Sequence, residues 1–175
     1  MKSSKEIPKN PELFRTYLAG MTSIWFGAGI TDYKSTRKQF DLEPHVAMCL
    51  LVMVTESVAC GMDIERYFHP SFGGAFDRTE AQILSETGLY SLQSNGYIRL
   101  DAKGKRELEQ HQEENDGCYG LGAVQWLLTA KAIELIAPAY CACKRLPASA
   151  QEQAQKDMLA ANKAAIAEAR KQSGQ

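Results

Sequence analysis

Cys141 and Cys143, together with His111 and Cys118, are the side chains of this chain best suited to hold a metal ion. Structural zinc sites use two close pairs of ligands, each pair two to four residues apart. Here His111 and Cys118 have six residues between them, and a helix through 140–144 would point Cys141 and Cys143 in different directions. The expectation is therefore free thiols, with no metal and no cofactor. His45, at a helix start, and His69, before a proline, have no carboxylate at motif spacing. A pairing such as Cys60 with His69 is one that any five Cys and three His generate by chance. Gly73-Gly74 is not a phosphate loop, because no Lys-Ser/Thr follows and no strand precedes it. Without a nucleophile and base or a carboxylate pair, the chain is expected to be non-enzymatic.

The remaining chemistry is charge and hydrogen bonding. Lys103, Lys105 and Arg106 stand within four residues and could meet phosphates. Gln93, Ser94 and Asn95, just upstream, could hydrogen-bond to base edges or to sugar-phosphate. Against them stand the acids Glu80, Glu86, Glu113, Glu114 and Asp116, which suit a basic protein partner. The net charge of −1 supplies no global field toward nucleic acid or acidic membrane. Its distribution is uneven: residues 1–40 hold seven Lys/Arg against three Asp/Glu, and residues 41–100 hold three against eight.

These side chains need elements to position them. At 45% apolar and 23% charged, the 175 residues read as a globular protein with one core and an appendage. The longest apolar run, Val46 to Val54, is too short to span a bilayer. No secretory signal is visible, so a reducing cytoplasm is the expected location. Residues 1–10 read as a flexible basic arm, and Pro11-Glu12 opens a first helix. A helix entered at Asp41–Pro44 is apolar nearly all round and should be the central buried one, closed by Gly61. Asp77 or Thr79 caps a helix over 80–95, which Gly88 could split in two. Asn95-Gly96 ends it, and Tyr97 to Leu100 is a short strand. Residues 104–114 are a charged surface helix or part of a wing. Val124 to Leu128 is a second strand or a helix start. Asp101 and Thr129 each stand after a Leu and before a helical run as caps, and the helix from Thr129 is kinked or interrupted at Pro138. Pro147 marks a boundary, and residues 147–175 hold a long Ala-rich helix whose sparse apolar positions predict weak packing or a partner.

From residue 79 onward the order is helix, helix, Leu89-x-x-Leu92-x-x-x-Gly96-Tyr97-Ile98, a hairpin-like segment, a strand, then Leu127-Leu128-Thr129-x-Lys131 and a helix. Over about residues 43–146 this resembles the winged-helix family of transcriptional repressors. The resemblance implies a mainly α domain with a small β hairpin, to which the long C-terminal helix is added. It also implies that the helix before Gly96-Tyr97 enters the major groove, that the hairpin touches flanking backbone, and that the last helix builds a homodimer. The sequence departs from the family pattern in three places. Ala132 stands where a glycine is usual, the wing segment 100–123 is long, and Thr79 to Asn95 carries Glu80 and Glu86 with no Lys or Arg.

Two functions follow as expectations. One is a DNA-binding transcriptional regulator with Gln93, Ser94 and Asn95 at the groove and Lys103, Lys105 and Arg106 on phosphates. The other is an acidic interaction module, an adaptor or an inhibitor of a nucleic-acid-binding protein, that meets a basic partner through Glu80, Glu86, Glu113, Glu114 and Asp116.

Overall fold

The computed structural model describes residues 38–55, 57–68, 78–116 and 120–174. The expected basic arm, the helix from Pro11, Lys34 and Arg37, His69, the Gly73-Gly74 loop and Cys118 lie outside the described residues. The architecture is mainly helical. Helices α1 (Pro44–Thr55), α2 (Gly61–Arg66) and α3 (Arg78–Ser94) come first. Strand β1 (Ile98–Arg99), helix α4 (Ala102–Glu114), strand β2 (Leu127–Leu128), helix α5 (Ala130–Cys143) and helix α6 (Gln151–Ser173) follow. Among the described residues no helix is long and apolar enough to cross a membrane.

Helix α1 is the buried centre, as its unbroken apolar run predicts. Every residue from Val46 to Met53 is at most 3% exposed. It packs chiefly on α3, and that contact explains Gly88. Instead of splitting α3, this glycine lets the two helices close: a Cβ there would lie 2.6 Å from the Cys49 sulfur and 3.2 Å from the His45 carbonyl. On the same seam the Cys49 thiol donates to the Ser85 carbonyl at 3.9 Å. Burial pushes that thiol well above the usual cysteine range. It also lowers His45 to about 4, so the imidazole is neutral in the fold.

The sequence pattern predicts that α1 runs on to Gly61, but the helix stops at Thr55. Residues 58–60 run as extended chain because they have a pairing partner elsewhere. Cys60 bridges Gln125, Trp126 N–H donates to the Ala59 carbonyl at 2.9 Å, and Gly61 N–H donates to Val124. Gly61 thus opens α2 rather than closing α1. Its missing side chain is needed too, since a Cβ would sit 2.5 Å from the Leu121 carbonyl.

Strands β1 and β2 pair antiparallel, Ile98 with Leu128 and Arg99 with Leu127. The chain between them is not a bare wing loop: residues 102–114 form helix α4. Asp101 caps α4, its carboxylate accepting from Gly104 N–H at 2.8 Å, and Thr129 caps α5. Both caps match expectation.

Helix α6 departs from the expected weak packing. It lies on α5 and β2 through a stripe at every fourth position, Ala154, Met158, Asn162 and Ile166, all buried. Asn162 is the polar member of that stripe and extends the sheet. Its Oδ1 accepts from Leu128 N–H at 2.9 Å, and its Nδ2 donates to the Trp126 carbonyl at 3.1 Å. The next position in the stripe, Arg170, forks onto Asp101 with bonds of 2.7 and 2.8 Å. That pair holds the Asp101 carboxyl well below the usual carboxylate range.

Candidate binding face

The face begins at the C-terminal turn of α3. Gln93, Ser94 and Asn95 are exposed there together. Gly96 follows at φ 75°, the left-handed value that ends a helix and that glycine adopts without strain. The Asn95 amide donates back to the Ser91 carbonyl at 2.8 Å. Asn95 is therefore partly occupied in capping its own helix, and Gln93 and Ser94 are the freer groups.

The residues that suggested the family resemblance meet here. Thr129 Oγ1 donates within reach of the Gly96 and Tyr97 carbonyls, at 2.7 and 3.0 Å. Lys131 Nζ donates to the Asn95 carbonyl at 2.6 Å and lies 4.4 Å over the Tyr97 ring. A cation at the carbonyl end of α3 meets the negative end of its dipole. Thr129-x-Lys131 and Asn95-Gly96-Tyr97 thus form one locking device. It fixes the last turn of α3 against the sheet and against the start of α5.

Beyond β1 the chain turns at Asp101 into α4. Gly104, Leu108 and His111 face the protein, Gly104 buried and the other two half-buried. Lys103, Lys105 and Arg106 are exposed in the first turns. Lys103 reaches Glu107 at 3.6 Å, and Lys105 and Arg106 have no ion pair among the described residues. Glu113, Glu114 and Asp116 are exposed at the other end. At about 1.5 Å per residue the two sets are roughly 15 Å apart along one axis.

This order opposes the helix dipole, which favours acids at the start and cations at the end. The first turn of α4 holds no acid, and Glu113 and Glu114 close the helix. The Lys103–Glu107 pair also runs in the less favourable direction, since Glu four residues before Lys is the better order.

The expected acidic set does not form one patch. Glu80 and Glu86 belong to α3 and are half-buried, and Glu86 accepts from Gln82 at 3.2 Å. Three residues that the sequence pattern does not single out bear on the face. Helix α3 begins at Arg78, so an exposed cation opens a helix that holds no Lys or Arg from Thr79 onward. Tyr90, 56% exposed, lies on the same outward stripe, with Arg78, Gln82, Glu86 and Ser94 at four-residue spacing. Arg99 points outward from β1. The four-residue spacing was readable; the extension of α3 back to Arg78 was not.

Among the described residues no group of three His, Cys, Asp or Glu is placed to hold a metal ion. Cys141 is buried in the core side of α5. A cavity of about 230 Å³ lies between the ends of α1 and α5 and the start of α6, lined by Tyr140, Lys144, Asp157 and Met158 among others.

No family model, no curated protein and no solved structure matches the chain.

Proposed function

We propose that this chain is a non-enzymatic, winged-helix-like DNA-binding regulator acting in the cytoplasm. In this reading the outward stripe of α3 lies at the groove, and the first turns of α4 hold flanking phosphates in place of a wing. The carrying observation is the charge order of α4. Lys103, Lys105 and Arg106 are exposed at the positive end of a helix, where they oppose the dipole and do little to stabilise the chain. Exposed cations gathered at one end of a helix are suited to phosphate oxygens. Only residues 95–102 separate them from Gln93 and Ser94, which keeps Ser94 and Lys103 within about 30 Å, inside a DNA footprint. The test is duplex binding at low salt, followed by fluorescence anisotropy. Binding should weaken steeply as salt rises and weaken further in Lys105→Ala plus Arg106→Ala. No binding at low salt would sink the reading.

A second reading has its own support. Glu80 and Glu86 lie on α3, where they would repel phosphate, and Glu113 and Glu114 at the end of α4 and Asp116 just beyond it are exposed. An adaptor or inhibitor that meets a basic protein would use that acidity. Such a partner should co-purify with the wild type and be lost when Glu113, Glu114 and Asp116 are changed to Lys; capture that ignores those charges counts against it.

A further inference from the structure

The opposed charges of α4 have a second property, independent of any nucleic acid. They are arranged about a midpoint. Arg106 and Glu113 lie equally far from the point between Glu109 and Gln110 on one outer face; Lys103 and Glu114 share one flank of that face, Lys105 lies on the other flank, and Asp116 follows the end of the helix. All six are exposed. Arg106 and Glu113 are two turns apart on the side opposite Gly104 and Leu108, which face the protein. We propose that α4 is a self-complementary docking surface and that its occupant is a second copy of this chain, with the two α4 helices antiparallel about a two-fold axis.

A two-fold interface requires that if residue i meets j, then j meets i. An antiparallel pair centred between Glu109 and Gln110 meets this condition with Arg106 opposite Glu113 and Lys103 beside Glu114 on the same flank. Arg106 meets Glu113 twice, once on each side of the axis, and Lys103 meets Glu114 on one flank. The helix dipoles also run antiparallel, so each basic start lies beside an acidic end. A parallel pair would set like charges against each other. The charge order that is unfavourable within one α4 therefore becomes favourable between two.

One contact works against the pair. Glu109 of each copy approaches its equivalent near the axis, so Glu109→Gln should tighten the association. The helix is about 20 Å long and its outer face holds no large apolar side chain, so the pair falls below the roughly 1,000 Å² of a stable interface. It forms at high protein concentration and low salt. Because it covers Lys103 and Arg106, it competes with any anionic partner of that turn.

Sedimentation equilibrium of the full chain tests this with two variants, each checked for helical content by circular dichroism. In one, Lys103, Lys105 and Arg106 are changed to Glu; in the other, Glu113, Glu114 and Asp116 are changed to Lys. The wild type should self-associate at low salt, and the association constant should fall about tenfold or more once the Debye length drops below about 8 Å. Each variant alone should be monomeric, and an equimolar mixture should associate again as a one-to-one pair. A monomeric wild type at low salt, variants that associate as the wild type does, or folded variants that stay apart when mixed would each overturn the proposal. None of these outcomes depends on DNA binding.

Discussion

Helices α4 and α6 are both rich in charge, and they order it oppositely. Helix α6 opens with Glu152 and closes with Arg170 and Lys171. Its Glu152–Lys156 pair, at 2.7 Å, has the acid first, the better direction. Helix α4 has cations first, acids last and its ion pair reversed. The two also differ in seating. Helix α6 buries a stripe from Ala154 to Ile166 and completes the sheet through Asn162, whereas α4 buries only Gly104 and half-buries Leu108. The helix whose charges stabilise it is built into the core, and the helix whose charges do not is presented to solvent. That difference fits α6 to architecture and supports the recognition role proposed for α4.

The largest test of this division is at Asn162. Asn162→Leu keeps the volume but leaves Leu128 N–H and the Trp126 carbonyl buried without their partner. Urea unfolding should show a loss of about 2–4 kcal/mol, the cost of two orphaned backbone groups. If α6 is only a solvated tail, the loss should be near zero.

Acid should next separate the core from the exposed helix. His45 is lowered from 6.5 to about 4. The unfolded chain therefore binds the extra proton first as pH falls, so stability is complete above pH 6.5 and is lost as pH falls toward 4. The loss should reach about 3 kcal/mol, since each pH unit between those two values contributes about 1.36 kcal/mol. In His45→Gln this part of the pH profile should flatten. The Asp101 carboxyl is held below the usual carboxylate range, so its contribution is present at pH 4 and above and fades only in stronger acid. If the slope between pH 6.5 and 4 is unchanged in His45→Gln, the buried neutral imidazole is not its source.

A smaller effect is expected where the two helices meet. Asp101→Asn keeps an N-cap residue but removes the ion pair with Arg170. The pair is partly exposed, 22% and 34% on its two sides, so about 1 kcal/mol should be lost. In a double-mutant cycle, Arg170→Ala should add little once Asp101→Asn is present. Full additivity would mean that the clasp carries no coupling between α4 and α6.

Much of this was readable in the sequence, and the residues show why. Asp101, Thr129 and Asn95-Gly96 announce their caps because capping is local chemistry. The apolar run of α1 announces its burial for the same reason. The extended segment 58–60 was not readable, because its reason to leave the helix is Gln125, far along the chain. The seating of α6 is not legible because the stripe at 154, 158, 162 and 166 includes an alanine and an asparagine. Only the open edge of β2 makes that asparagine a core residue. The face itself was half legible: Lys103, Lys105 and Arg106 were visible as a cluster. Their position at the start of a helix rather than on a wing needed the fold, and so did the helical placement of Arg78.

The central claim is that the charges of α4 are stationed for a partner at a cost to the helix that carries them. Unfolding of Glu113→Lys plus Glu114→Lys, at protein concentrations too low for self-association, tests it most directly. The variant places cations at the carbonyl end and gives Glu109 a favourable partner four residues on. It should be more stable than the wild type by about 0.5–1 kcal/mol. A variant less stable by the same amount would mean that the native order already serves the fold, and would contradict the claim.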